Sequence, residues 1–275
     1  MVRARRSSRV GDVTITLGSG RRLMPLLTQN SELKPHGVWN FTIPAWFVRL
    51  DNGKLFKTCP NAGTCAQVCY ARNGTYLFKN VKAAHTRNLQ MIIDDPYKWQ
   101  QTMIDELKHK RYRPTNVARQ KIDGLDIETL DKWLFEWWQN GGRAVRIHDS
   151  GDFFAEWYLQ RWFNVARSTP DVLFYAYTKE VSMLRKQTNV PSNFRFLFST
   201  GGLEDHLIGD DRHADVFVNE QAIKDAGYVS QDESDLLCVL LSSNKIGIPA
   251  NNIPKFNKMM NGRRFSELGK PRAEH

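Results

Sequence analysis

Ala144-Val145-Arg146-Ile147-His148-Asp149-Ser150-Gly151-Asp152 is an apolar run that ends in polar and charged residues, and the pattern repeats downstream. Val172-Leu173-Phe174-Tyr175-Ala176-Tyr177 leads into Thr178-Lys179, and Phe194-Arg195-Phe196-Leu197-Phe198 leads into Ser199-Thr200-Gly201-Gly202. Asp215–Val218 and Leu236–Leu241 continue the series. The centres lie roughly 21 to 27 residues apart, which fits strand–helix–strand units with right-handed crossovers. Between the first two runs, Leu159, Trp162, Phe163 and Ala166 fall at i, i+3, i+4 and i+7, the buried stripe of a connecting helix. Several runs are apolar with little alternation, as parallel strands covered by helices require. The predicted class is α/β: a TIM-barrel-like or partial (βα) barrel with mostly parallel strands, the first 140 residues supplying the remaining elements. A doubly wound open sheet is the alternative.

Upstream, Phe47-Val48-Arg49-Leu50 and Leu55-Phe56-Lys57-Thr58 flank Asp51-Asn52-Gly53-Lys54. They predict a hairpin closed by an Asn-Gly type I′ turn, which delivers the chain into Cys59 from a rigid support. Three helices are predicted next. The first, about 76–93, carries Phe78, Val81, Leu89, Ile92 and Ile93 on one side. The second opens with Asp95 as N-cap and Pro96 at the first helical position, with Trp99, Met103 and Leu107 as its stripe. The third, near 126–139, aligns Ile127, Leu130, Leu134, Trp137 and Trp138 ahead of Gly141-Gly142. That spacing assigns Trp133, Trp137 and Trp138 to core packing rather than base stacking. Val13–Leu17 alternates like a short strand.

With 41% hydrophobic and 25% charged residues, the 275-residue chain is neither fibrous nor wholly disordered. Its longest apolar runs fall far short of the ~20 residues a bilayer requires. No apolar stretch of the kind a secretory signal needs follows Arg3, Arg5, Arg6 and Arg9. A cytoplasmic protein without membrane contact is expected. Thirty-nine Lys and Arg against 29 Asp and Glu leave a net charge of +10, which favours polyanionic partners through counterion release. Nucleic acid is the first such partner, and a host protein the second. Six Arg within residues 1–22 and the Lys and Arg of residues 256–275 read as solvated basic tails around one α/β domain at 23–255.

Cys59, Cys65 and Cys69 fall within one loop, Cys59-Pro60-Asn61-Ala62-Gly63-Thr64-Cys65-Ala66-Gln67-Val68-Cys69, whereas Cys238 stands alone among Leu and Val. Disulfide frameworks spread their cysteines, so the cluster points to metal ligation in a reducing compartment. Soft thiolates select zinc or iron–sulfur centres. Structural zinc usually takes two separated ligand pairs, and no second pair is present. Three thiolates in one loop better suit a [4Fe–4S] cluster with one iron left for a small ligand, and buried free thiols are the bland alternative. Cys238 reads as a small core hydrophobe.

In parallel α/β folds, ligands gather outside the carboxyl ends of the strands. Three successive strands ending in polar runs therefore predict one pocket. His148, Asp149 and Lys179 are its candidate catalytic groups, and Asp149, Ser150, Asp152, Thr178, Lys179 and Thr200 its candidate cofactor-binding groups. Helix caps and turns are the alternative use of these residues. No P-loop, GxGxxG, HExxH or GxSxG motif is present, so the usual evidence for ATPase, Rossmann, zincin and α/β-hydrolase chemistry is lacking.

Asn40-Phe41-Thr42-Ile43-Pro44-Ala45, CPNAGTC and CYARNGTY, RIHDSGDFF, FYAYTK and the Thr-Gly-Gly strand end together resemble the gene-product-88-like proteins of actinobacterial phages, over roughly residues 38–245. That resemblance implies a phage origin. A cysteine loop ahead of βα units also resembles the radical S-adenosylmethionine (SAM) superfamily. Its common signature is Cys-x3-Cys-x2-Cys, whereas this chain has Cys-x5-Cys-x3-Cys. The second resemblance implies a [4Fe–4S] enzyme whose open iron takes SAM, with Asp149, Ser150 or Asp152 at the amino group and Lys179 at the carboxylate. Its substrate would be a nucleotide or related to nucleic acid. A non-enzymatic basic metal protein and an iron–sulfur redox carrier are the two alternatives.

Overall fold

The computed structural model describes residues 15–16, 22–112, 132–231, 235–250 and 254–268. The strands are β1 (Ile15–Thr16), β2 (Arg22–Leu23), β3 (Val38–Phe41), β4 (Phe47–Arg49), β5 (Leu55–Lys57), β6 (Arg143–Ile147), β7 (Val172–Thr178), β8 (Phe194–Ser199), β9 (His213–Phe217), β10 (Val229–Ser230) and β11 (Lys245–Pro249). The α-helices are α1 (Cys65–Val68), α2 (Lys79–Asp94), α3 (Pro96–Lys108), α4 (Lys132–Gln139), α5 (Glu156–Ser168), α6 (Val181–Arg185), α7 (Glu220–Asp225), α8 (Leu237–Leu240) and α9 (Pro254–Met260). Among the described residues no helix is long and apolar enough to cross a membrane.

Seven strands form one sheet in the order β10-β11-β9-β8-β7-β6-β3, and every pairing in it is parallel. The α/β class is as expected, but the closed barrel is not what the described residues form. β3 and β10 are the two edge strands, with no pairing between them among the described residues, and Thr28 bridges Asn40 at the outer edge of β3. From β3 to β9 the strands step in one direction; β10 then lands outside and β11 fills the gap beside β9. Alternation along β7 sends Val172, Phe174 and Ala176 into the layer of α2, α3 and α5, and Leu173 and Tyr175 into a second core with Leu134, Trp137 and α8. Both faces are thus buried, which is why these strands read as continuous apolar runs.

Several local expectations change. Leu236–Leu241 was expected as a strand, but α8 occupies Leu237–Leu240, and β11 takes the sheet position instead. Asp215–Val218 becomes His213–Phe217. The first long helix starts at Lys79, after a 3-10 turn at Gly74–Leu77, which leaves Phe78 exposed. Asp95 caps α3 as predicted, accepting the Lys98 N–H at 2.9 Å. The third helix is described from Lys132, with Leu134 and Trp137 buried; Ile127 and Leu130 lie outside the described residues. In the β4–β5 hairpin the Gly53 N–H donates to the Leu50 carbonyl at 2.8 Å, and Gly53 alone takes a positive φ. That is a three-residue loop built on a type I turn, not a type I′ turn, which would need Asn52 at positive φ as well.

The C-terminal stretch also departs from the expected solvated tail. Residues 254–268 pack back onto the sheet: Phe265 is buried, and Ser266 donates its N–H (3.0 Å) and hydroxyl (2.6 Å) to the fully buried Asp215 carboxylate. Of the expected N-terminal tail, only β1 and residue 22 are described, with β1 paired to β2.

Candidate functional site at the strand ends

Hairpin β4–β5 hands the chain to the cysteine loop, and that loop is fastened across the carboxyl ends of three neighbouring strands. After β6, the Asp152 N–H donates to the Thr58 carbonyl at 3.0 Å. After β7, Glu180 accepts from both the Asn61 N–H (3.1 Å) and its side-chain amide (2.8 Å). After β8, Ala62 bridges Gly202, the Cys65 N–H donates to the Gly201 carbonyl at 3.0 Å, and the Leu203 N–H donates to the Asn61 carbonyl at 2.9 Å. Gly63 lies so close that a Cβ would stand 2.9 Å from the Gly202 carbonyl carbon, so only glycine fits.

The three thiols of this loop are free and partly exposed. The Cys59 sulfur accepts the Trp46 N–H at 3.3 Å. Burial, then the Asp152 charge, pushes the Cys59 thiol up to about 12. Burial, then Cys65, pushes Cys69 up to about 11, opposed by Lys179 and Arg72. Each thiol thus lies in the field of another, and all three interact with Lys179. The Lys179 ammonium donates to the Ser199 hydroxyl at 2.8 Å, its one side-chain hydrogen bond among the described residues. Burial works against its charge, but Cys65, Asp152, Asp205 and Cys59 favour it, and the net shift is upward. Among the described residues, no three His, Cys, Asp or Glu side chains close around a single metal ion.

The remaining predicted groups are engaged elsewhere. Asp152 is buried; its Oδ1 accepts the Thr178 hydroxyl (2.7 Å) and the Phe153 N–H (2.8 Å), and its Oδ2 accepts the Lys179 N–H (2.9 Å). The Ser150 hydroxyl donates to the Ile43 carbonyl at 2.6 Å, and Thr200 donates to Asp215 at 2.7 Å. These are ties between strand ends rather than helix caps, since α5 begins at Glu156 behind Ala155, an N-cap without a side-chain hydrogen bond. His148 belongs to the aromatic core, packed against Phe153 and Tyr158, with Nε2 2.9 Å from the Tyr158 hydroxyl. Burial drives it down to about 3, so it is neutral, and its Nδ1 has no partner among the described residues. Asp149 sits in a separate network: Tyr76 donates to it at 2.8 Å, Tyr70 donates to its backbone carbonyl, and Arg146 stands 3.6 Å away, between Asp149 and Asp235.

Sequence reasoning missed Asn61, Glu180, Ser199, Asp205 and the C-terminal clasp. Asp205 accepts the N–H groups of both Gly201 (2.7 Å) and Gly202 (2.8 Å), fixing the turn that carries the cysteine loop. Phe265 seals the same turn: Gly201 has φ +85°, and a Cβ there would stand 2.2 Å from the Phe265 ring. A carboxylate three residues after a Gly-Gly pair was a readable signal for the first contact; nothing local marks the second.

The profile of the Gene product 88 family matches residues 24–268. The chain belongs to that family. It is 29% identical to the Gene 88 protein of Mycobacterium phage L5 over 133 residues, which is 48% of this chain and 46% of that protein. It is 28% identical to the Gene 88 protein of Mycobacterium phage D29, with the same coverage. The match thus spans about half the length of each relative. No solved structure matches this family member.

Proposed function

We propose that this Gene product 88 family member is a phage iron–sulfur protein. Cys59, Cys65 and Cys69 hold a [4Fe–4S] cluster at the mouth of the parallel sheet, in the cytoplasm of the infected host. The observation that carries the reading is the fastening of the cysteine loop over β6, β7 and β8, which gives three thiols and one ammonium a common electrostatic environment. A single zinc ion at about 2.3 Å from each sulfur needs the sulfurs about 4 Å apart. Among the described residues no three such side chains close around one ion. In a cubane each thiolate takes its own iron, so the three sulfurs need not converge on one ion. Burial keeps Cys59 and Cys69 protonated without metal, so iron uptake releases protons and is favoured by higher pH.

Three protein thiolates leave one iron for a small ligand. SAM is the ligand this reading names, and when bound the pair would supply one-electron chemistry. Lys179 is the residue for its carboxylate, because Ser150, Asp152, Thr178 and Thr200 are committed to internal hydrogen bonds. The one-way order of strands, as in a partial (βα) barrel, supports a ligand site at this end.

The test is anaerobic purification followed by iron, acid-labile sulfide and zinc analysis. Iron and sulfide in matched amounts, lost in each single Cys→Ser variant, support the reading. Stoichiometric zinc without sulfide, or no metal at all, overturns it. A change in the reduced cluster's EPR spectrum on adding SAM, absent in Lys179→Ala, tests the ligand assignment separately.

A further inference from the structure

The hairpin β4–β5 has two faces of opposite character. Its register sets Phe47 opposite Lys57, Val48 opposite Phe56 and Arg49 opposite Leu55. Val48 and Phe56 pack against the main core, and the Phe56 ring meets Phe154 edge-on at 5.0 Å. Because side chains alternate along a strand, Phe47, Arg49, Leu55 and Lys57 share the other face, and all four are exposed. Phe47 is 40% and Leu55 62% accessible, so this is no ordinary polar surface. Arg49 bonds the Gly53 carbonyl, and neither it nor Lys57 meets a carboxylate among the described residues. At the base of the ribbon the Trp46 ring lies 5.1 Å from Phe47 and carries the Arg72 guanidinium 4.6 Å above it. The Trp46 N–H binds the Cys59 sulfur.

We propose that this ribbon face, from Leu55 and Arg49 to Trp46 and Arg72, binds single-stranded nucleic acid and leads it to the cysteine loop. Cations flanking exposed aromatic and aliphatic side chains match a strand whose phosphates and bases are both accessible. In a duplex the bases are stacked inside, so Phe47 and Leu55 would gain little. An acidic peptide would use the cations but leave the ring faces unused. The inference does not depend on the cluster: the ribbon is the same whether or not the thiols hold metal.

The test is fluorescence anisotropy with full-length protein, an oligothymidylate about 20 nucleotides long and a duplex of equal length, from about 50 to 200 mM salt. Wild type should bind the single strand in preference to the duplex. Arg49→Ala with Lys57→Ala should weaken single-strand binding about tenfold or more at 50 mM and reduce the salt slope by about 1.4 for two lost phosphate contacts. Phe47→Ala should weaken it about tenfold with the slope unchanged. All three positions are exposed, so thermal melting should match wild type. Lys98→Ala with Lys224→Ala, cations on α3 and α7, should bind normally. Equal binding by ribbon variants and wild type, equal loss in the control, or preference for duplex overturns the proposal, whatever the metal content.

Discussion

Replacing Asp152 by asparagine separates scaffold from ligand-binding group. The buried carboxylate accepts three hydrogen bonds, two at Oδ1 and one at Oδ2. Asparagine retains one oxygen. Placed where Oδ1 stands, it keeps the Thr178 and Phe153 donors but turns its amide NH₂ against the Lys179 N–H. The opposite orientation strands two donors, so the first is preferred. One buried N–H left without an acceptor costs about 1–3 kcal/mol. Burial raises the Asp152 pKa, and removing the charge recovers part of that penalty, which puts the net loss at about 1–2 kcal/mol. For a chain of this size Tm should fall by about 2–8 °C. The urea midpoint should fall with m unchanged. The Asp152 charge also raises the Cys59 thiol, so in metal-free Asp152→Asn protein Cys59 should be alkylated faster at a given pH. An unchanged Tm together with an altered SAM response would refute the scaffold assignment.

Burial holds Glu180 at about 8 in the folded chain, against an ordinary value of 4.5. From pH 4.5 to 8 the folded form keeps a proton that the unfolded form has lost, so stability should fall as pH rises through that window. Urea titrations should show a shallower slope in Glu180→Gln than in wild type, since Glu106, Asp152 and Asp205 are raised as well. Gly201→Ala forces a Cβ into the Phe265 ring at positive φ and should cost about 2–4 kcal/mol, with faster tryptic cleavage at Arg263 and Arg264. Cys238 lies fully buried within α8, so Cys238→Ala should leave iron and sulfide unchanged while costing about 1 kcal/mol.

The central strands were legible because β6, β7 and β8 are buried on both faces, and such strands must be written as apolar runs. The same logic misled at Leu236–Leu241. A six-residue apolar run fits a buried helix as well as a buried strand, and α8 is nearly enclosed, with Leu236, Cys238, Val239 and Leu240 all inside. β11 was hidden for the opposite reason: Lys245-Ile246-Gly247-Ile248-Pro249 carries both residues that usually mark a turn. Gly247 is needed there because Ile223 of α7 would stand 2.3 Å from its Cβ. Whether the sheet closes was not written locally at all. A barrel and an open sheet share the same sequence of βα units and differ only in whether the two edge strands meet.

The site divides along a similar line. That three cysteines share one loop was readable from their spacing. Which strands they rest upon was not, because the deciding contacts, Asn61 to Glu180 and Ala62 to Gly202, join distant parts of the chain. Polar residues at strand ends attract a ligand reading, yet strands leaving a parallel sheet expose backbone groups that themselves require partners. Asp152, Thr178, Ser150 and Thr200 serve that need, and the fold would lose register at its mouth without them. Lys179 does not fit that explanation. Its backbone N–H is fastened to Asp152, but its ammonium makes a single hydrogen bond, to Ser199, beside thiols that burial keeps neutral. A partly buried ammonium needs negative charge near it. Asp152 and Asp205 supply part of it; under the proposed reading, thiolates bound to iron or the carboxylate of a ligand would add to it, which makes Lys179 the residue whose substitution most directly tests that reading.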